Sequence, residues 1–499
     1  MKVLGISAGF HDAAVSVISD GEILFAGHAE RYSKIKNDAH LNNELIEDAL
    51  RYSNPDLVAY YERPWIKKIQ QLQSGQYGDA FNFKNFTLDQ YLRKHLSDDV
   101  YQRHFVGCMR RYMSHHLSHA AAGFQTSPYT RATVVVIDAI GELDTITIWG
   151  AEYVHGQAKY TKLWHQRYPH SIGLFYSAMT KRVGLRPGEE EYIMMGMSAY
   201  GTSGLGELLK TRLVGDEHAV SFKQNLHIGV DSDFMNHVVN EDIASMSQDL
   251  AENLIYNVMQ RARDFNWSSN LVYMGGVALN CLANRNLGKY FENIWIMPNP
   301  GDAGSSLGAA ALAYGKRINW NNAYLGHNIP GPYPVNTILD SLLYGGIVGV
   351  ASGCAEFGPR ALGNRSLLAD PRGTEIKDKV NEIKRRQKFR PFAPVILEEL
   401  VDQYFDIPRG WSNSRYMQIV GRCRRPDLFP AIVHVDGTSR IQTVPRDGSG
   451  IRELLEKWYV ITDCPMLLNT SLNIRGEPMV NDRADADRFE TLYHLKVCS

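Results

Sequence analysis

The chain has 499 residues with 44% apolar, 10% aromatic and 21% charged content, and 53 basic against 54 acidic residues leave a formal charge of −1. That length exceeds the roughly 250 to 300 residues at which one core stops growing, so two or more domains are expected, and the composition excludes a disordered or coiled-coil chain. The balanced charge excludes a global field drawing the chain onto nucleic acid or anionic lipid, leaving only local basic grooves.

Residues 2–28, KVLGISAGFHDAAVSVISDGEILFAGH, alternate apolar runs with Gly-containing turns and predict a three-stranded meander with an Asp20-Gly21 hairpin. Residues 41–128 are rich in helix-compatible polar and aromatic types, expected as covering helices and insertions. Residues 132–153 form a second unit, a buried-type strand ending in Asp138, a turn containing Gly141, then an alternating strand through Ile146 and Ile148. Both units place an acidic residue and glycines just after an apolar strand, which suggests an internal duplication of the actin-like kind. Coincidence between two meanders is the competing reading. A helical pattern at 171–185 and another at 241–265 precede the strand LVYMGGVALN at 271–280, and 293–315 read as strand, Gly-rich loop and small-residue helix. Gly326, Pro330, Gly331, Pro332 and Pro334 mark a linker, so a first domain over 1–325, a linker over 326–340 and a second α/β domain over 341–499 are expected. In that second domain, strands are predicted at 346–351, 416–420 and 459–462.

Six single cysteines with no CxxC pair argue against a zinc ribbon or disulfide framework and for a reducing, cytoplasmic setting. No run approaches about 18 apolar residues, so no membrane association is expected. His115 and His119 stand four apart before an alanine-rich run, on one face of a helix, where two imidazoles can share a divalent ion. Asp138 at a strand end and Asp302 in PGDAGSS lie where an α/β sheet presents ligands. Together the four suit Fe(II), Mn(II) or Zn(II) without choosing among them. GGVALN, with Gly275, Gly276 and Asn280, and GDAGSSLG, with Gly304, are candidate phosphate cradles or ordinary close-packed turns. Arg360, Arg365, Lys384, Arg390, Arg440 and Arg475 sit beside glycines, prolines and apolar residues, with Asn469 and Ser471 offering neutral hydrogen bonds. Guanidinium forks match phosphate oxygens, so an anion site is favoured over surface salt bridges.

Taken in order, LGISAGFHDAAVSVISDGEI, AERYSKIK, HHLSHAAAGF, GLFYSAMT, EYIMMGMSAYG, GGVALN, GDAGSSLGAA, EFGPRALGNRSLLADPR, FRPFAP and LNTSLNIRGEP resemble the motif set of the NodU/CmcH O-carbamoyltransferases across nearly the whole chain. The resemblance implies an α/β fold with an N-terminal actin-like, TsaD-like domain and a C-terminal YrdC-like domain. It implies ATP and carbamoyl phosphate as co-substrates, Mg(II) with the ATP, and carbamoyl-adenylate as the activated species. Lys384 and Arg390 resemble phosphate and carboxyl holders, completed by Arg360, Arg440, Asn469 and Ser471. His115, His119, Asp138 and Asp302 resemble the ligands of a metal, Fe(II) by preference. His11, beside Asp12 on the turn after the first strand, is the candidate general base for the acceptor hydroxyl. Three departures from the family pattern stand out: Ile193 where lysine is usual, Ala139 where glycine is usual, and Cys354-Ala355 in place of an arginine-containing lead.

The acceptor is the open term. Compact members occur in phage genomes, so the hydroxymethyl group of a modified nucleobase such as 5-hydroxymethylcytosine, in DNA or a nucleotide, is the preferred acceptor. A sugar, antibiotic or other small-molecule hydroxyl is the alternative. Local support comes from RPWIKK (63–68), RHFVGCMRRYMSHH (103–116) and GRCRRP (421–426), which interleave cations with aromatics or cysteine as strand-binding surfaces do. A nucleotide-binding actin-like scaffold without transferase activity is the reading from another class. Monomer and homodimer are both open.

Overall fold

The structure is a computed structural model describing residues 1–51, 53–81, 86–202, 204–387, 390–448 and 450–499. Lys388 and Phe389, in the expected cationic segments, therefore lie outside the described residues, as do Tyr52 and residues 82–85 of the predicted helical stretch.

The N-terminal meander forms as its alternation requires: β1 (Lys2–Ser7), β2 (Ala14–Ser19) and β3 (Glu22–His28) pair antiparallel. β4 (Leu57–Tyr60) and β5 (Met109–Tyr112) add in parallel on the other side of β1, giving the order β3-β2-β1-β4-β5. The second unit repeats this arrangement. β6 (Arg131–Gly141), β7 (Asp144–Val154) and β8 (Gln157–Arg167) are antiparallel, and β9 (Asn270–Met274) and β10 (Asn293–Trp295) extend them in parallel on the far side of β6. Relative to its first strand, each sheet carries strands in the same order and the same sense. The internal duplication is thus present, and it includes β8, whose polar KYTKLWHQR stretch gave no strand signal.

Two small-residue helices, His115–Thr126 and Ser305–Tyr314, share one core with the facing sides of both sheets, where Val3, Ile18, Ala121, Val134, Val272 and Ala310 meet. Only small residues permit that spacing. A Cβ on Gly308 would lie 1.8 Å from Ser118 O, and one on Gly5 would lie 1.9 Å from Ser306 O. The outer face of the first sheet is covered by the helices Asn43–Ala49, Leu88–His95 and Asp98–His104, and that of the second by Ile172–Arg182 and Asn240–Asp264.

The C-terminal part is a mixed six-stranded sheet in the spatial order Gln442–Val444, Ala393–Leu397, Met466–Ser471, Arg365–Ala369, Ile347–Ala351 and Val497–Cys498. The Gly/Pro-rich stretch is no free tether. Tyr324–Ile329 pairs as a strand with Gly353–Glu356, and Val335–Gly345 is helical. The strand predicted at 459–462 is the last turn of the helix Gly450–Thr462, because Ile451, Leu454, Leu455 and Trp458 face the core at helical spacing while Val460 is exposed. The strand predicted at 416–420 begins at its last residue, Val420. Among the described residues no helix is long and apolar enough to cross a membrane.

Candidate active site

Helix His115–Thr126 starts where β5 ends, so its first turn carries His115 and His119 to the sheet edge where β6 delivers Asp138. Asp302 arrives on the loop before helix Ser305–Tyr314. His115 Nε2 and His119 Nε2 are 3.2 Å apart, and each lies 3.2–3.4 Å from an oxygen of Asp138 and of Asp302. Those separations are the edges that metal–ligand bonds of about 2.0–2.1 Å subtend at a tetrahedral ion. All four residues are buried, and the donor set fits Fe(II), Mn(II) or Zn(II). Burial opposes protonation of His115 and His119, but the carboxylates of Asp302 and Asp138 outweigh it and raise both imidazoles. The paired imidazoles in turn hold both carboxyls below their ordinary value against the effect of burial. His116, third of the histidines, stays outside the cluster. Its Nδ1 lies 2.9 Å from Thr147 Oγ1, and burial next to His115 drives its basicity well down.

His11 flanks the cluster with Nδ1 3.0 Å from Asp12 Oδ2 and Nε2 3.6 Å from Asp302 Oδ2. Burial disfavours its charged form, yet Asp12 and Asp302 raise it to about 9. Alone, then, His11 holds a proton at neutral pH; it can act as a base only when the neighbouring carboxylate charge is offset.

A single cavity of about 540 Å³ runs from His11, Asp138 and Asp302 to Arg360, Lys384, Arg390, Arg440, Asn469 and Ser471. Two of the four expected metal ligands, Asp138 and Asp302, and the expected anion site therefore face one chamber. Among the described residues none of Arg360, Arg386, Arg390 and Arg440 pairs with a carboxylate. Burial and the like charge of Arg440 lower Arg360 to about 9, which is the electrostatic signature of a cradle built for an anion. Lys384 is differently placed: its ammonium is buried and committed to Ser471 O and Oγ and to Asn473 O and Oδ1. It braces the 471–473 corner, and burial beside Arg386 and Arg390 lowers its basicity well below the ordinary lysine value. Asn469 donates to Ala361 O and Gln442 Oε1.

Several sequence candidates have structural duties. Arg365 is fully buried, its guanidinium donating to the carbonyls of Asn481, Ser352, Asn364, His327 and Gly353, so it builds no anion site. Arg475 pairs with Glu190 at 3.1 Å. Asn280 exchanges hydrogen bonds with Gln248 and caps the helix Cys281–Asn284. At Gly275, φ is +90° and a Cβ would lie 2.1 Å from Ile137 O; at Gly304 a Cβ would lie 1.8 Å from Asn299 O. Close backbone packing thus accounts for both glycines. Gly276 N, in contrast, donates to Asp138 Oδ1 at 3.3 Å and lies on the cavity. Of the departures, Ile193 and Ala139 line the cavity, whereas Cys354 sits on the strand Gly353–Glu356.

Arg386, Asn473 and Tyr192 also line the chamber and were missed. Arg386 and Asn473 each fall two residues beyond a chosen candidate, a spacing that could have signalled a shared face. Tyr192, 4.8 Å from the Arg390 guanidinium, comes from the distant first domain and left no local signal. The cation-rich segments fare unevenly. Arg103, Arg110, Arg424 and Arg425 are paired with carboxylates. In 63–68, Lys67 stands 4.8 Å from the Phe10 ring, next to His11.

A buried cluster of two imidazoles and two carboxylates, beside a cavity lined by guanidinium groups that among the described residues have no carboxylate partner, is an arrangement suited to an enzyme of anionic substrates. The description "Carbamoyltransferase N-terminus" matches residues 2–311 and "Carbamoyltransferase C-terminus" matches 339–497, so the chain belongs to the carbamoyltransferase family and is a carbamoyltransferase. It is 31% identical to the uncharacterized protein sll1178 of Synechocystis sp. over 97% of this chain and 93% of that one. It is 28% identical to nodulation protein NolNO of Sinorhizobium fredii over 95% of this chain and 76% of the relative. Among solved structures, full-length HypF in its phosphate- and nucleotide-bound form is similar at 13% identity and a TM-score of 0.33, covering 62% of this chain and 55% of that chain.

Proposed function

We propose that this chain forms carbamoyl-adenylate from carbamoyl phosphate and ATP and transfers the carbamoyl group to a hydroxyl. The observation that carries the reading is the single chamber joining the ion-ligand cluster to the unpaired guanidinium groups. Carbamoyl phosphate is first hydrolysed, water taking the phosphoryl group away as inorganic phosphate and leaving carbamate; a carbamate oxygen then attacks the α-phosphorus of ATP and pyrophosphate leaves, while Arg360, Arg386, Arg390 and Arg440 offset the charge on the phosphates. The acceptor oxygen then attacks the carbamoyl carbon, its bond to the AMP oxygen breaks, and His11 takes the hydroxyl proton at Nε2. Asp12 orients the ring through Nδ1 and stabilises the imidazolium that results. A divalent cation, Fe(II) by our assignment, held by His115, His119, Asp138 and Asp302 would supply Lewis acidity and offset the charge that otherwise keeps His11 protonated. Mg(II) would accompany ATP. In this reading residues 341–499 act as a YrdC-like adenylate-forming domain, residues 1–325 as a TsaD-like transfer domain, and the enzyme works in the cytoplasm as monomer or homodimer.

For the acceptor we propose the hydroxymethyl group of a modified nucleobase. The aromatic and cationic side chains beside His11 favour it over an acyclic alcohol. Purified protein supplied with ATP and carbamoyl phosphate should release pyrophosphate. Mass spectrometry of DNA and nucleotides containing 5-hydroxymethylcytosine should show a carbamoyl gain. Carbamoylation of sugars alone would reject the nucleobase, and absence of carbamoyl-phosphate-dependent pyrophosphate release would reject the adenylate.

A further inference from the structure

Two buried polar atoms beside the ion-ligand cluster face each other, and neither makes a hydrogen bond among the described residues. One is Oε2 of Glu62, a residue 7% exposed that stands just beyond the end of β4. The other is Nδ1 of His115, the second nitrogen of the ring whose Nε2 faces Asp138 and Asp302. The two atoms lie 3.6 Å apart, a separation just beyond hydrogen-bond length that a slight turn of the ring closes. Both residues are held in place. Tyr61 O accepts from Ser118 Oγ at 3.0 Å, which ties the end of β4 to the helix His115–Thr126. Arg63 N donates to Glu142 Oε1 at 2.7 Å, which ties the residue after Glu62 to the turn between β6 and β7. The His115 ring is confined as well: its centroid lies 5.0 Å from that of Tyr61, and a Cβ on Gly141 would come within 2.6 Å of its Cδ2. Lys67 Nζ, 3.6 Å from the same Glu62 oxygen, balances the buried charge.

We infer that Glu62 is a positioning residue for the cation: it accepts the Nδ1 proton of His115 and so commits Nε2 to the ion. An imidazole that gives its Nε2 lone pair to a metal keeps its one proton on Nδ1. A carboxylate that accepts that proton fixes the tautomer, sets the orientation of the ring and makes Nε2 a better donor. Glu62 is the carboxylate that the fold sets against this atom. With the cation bound, the carboxylates of Asp138, Asp302 and Glu62 are matched by the divalent ion and the Lys67 ammonium, so the buried set closes without net charge. The role rests on the proposed cation and concerns how it is held, since Glu62 reaches the ion only through His115.

The test uses the intact chain with Glu62→Gln and Glu62→Ala, each stripped of metal by chelation. Co(II) titration is followed by visible absorption, and the Zn(II) forms are compared by NMR of isotope-labelled histidine. Unfolding temperatures of the metal-free proteins confirm that the variants fold; where Glu62→Ala is less stable, the isosteric Glu62→Gln carries the comparison. Glu62→Ala should bind Co(II) roughly 10 to 100-fold more weakly. Glu62→Gln, whose amide oxygen still accepts from Nδ1–H, should recover part of that loss. In the Zn(II) form of the wild type the His115 Nδ1 proton should resonate far downfield and move upfield in Glu62→Gln, a change that altered packing alone does not produce. Co(II) affinities within two-fold of wild type in both variants, or an Nδ1 proton indifferent to the substitution, overturn the role of Glu62 while the ion site stands. A wild-type chain that binds neither Co(II) nor Zn(II) overturns the ion site and this role with it.

Discussion

His115 and His119 are the residues at which protonation and ion binding compete. The Asp138 and Asp302 carboxylates overcome burial and raise both imidazoles above the ordinary histidine value, so each holds a proton more tightly than a free imidazole does. A raised group binds its proton below its folded-state value, and an incoming cation must displace it. Affinity for Fe(II) or Co(II) should therefore climb as pH rises, by up to roughly 100-fold per unit while both rings are protonated. Calorimetric titration at two pH values, in buffers of different ionisation enthalpy, measures the released protons; pH-independent binding would contradict it. Asp302→Asn should weaken binding beyond the roughly 10 to 100-fold that loss of an outer hydrogen-bond partner costs. Arg360 and Arg365 separate function from scaffold. Arg360→Ala should slow pyrophosphate release by about 10²–10³ at unchanged urea stability. Arg365→Ala should cost about 3 kcal/mol or more, because it strips buried backbone carbonyls of Asn481, Ser352 and His327 of the guanidinium that donates to them. The sequence context of the two was nearly identical, EFGPRALGNRS, so nothing local distinguished them. The i, i+4 histidines were legible because helix geometry alone brings them together, whereas the carbonyl cage around Arg365 is assembled from residues up to Asn481.

At the scale of elements, the inner helix pair decides stability. Gly308→Ala sets a methyl group against Ser118 O, and Gly275→Ala adds left-handed backbone strain to a clash with Ile137 O. Each should cost about 2–4 kcal/mol in urea unfolding, and Gly275→Ala should also weaken ion binding, since Asp138 directly follows Ile137. The reverse expectation holds at Gly78, where a Cβ meets no neighbour and alanine should be neutral or stabilising within about 1 kcal/mol. Strands with alternating or unbroken apolar residues were readable; β8, a half-solvated strand at the end of its sheet, was not. The misread 459–462 shows the same limit from the other side. WYVIT has strand composition, but four core-facing residues at helical spacing, beginning at Ile451, overrule it.

For the molecule as a whole, the cation should act as a stability ligand. At a free concentration 100 times its Kd it adds about 2.7 kcal/mol, so chelation should lower the unfolding temperature by several degrees. In Asp138→Asn, chelation should change little, as scanning calorimetry would record. The two halves also meet backbone against backbone. There Gly288 packs against the Arg409 carbonyl and Gly410, with Cβ positions blocked at 1.7 Å and 2.6 Å. Trp411 Nε1 donates to Asn284 O and Asn284 Nδ2 to Gln418 O. Backbone set against backbone leaves little room for a larger side chain at this junction, and the halves also meet through Glu190 and Arg475. The junction also constrains the exchange of parts between relatives. A chimera that imports one half with a larger residue at 288 or 410 would be wedged apart at this junction, whatever the quality of its chemistry.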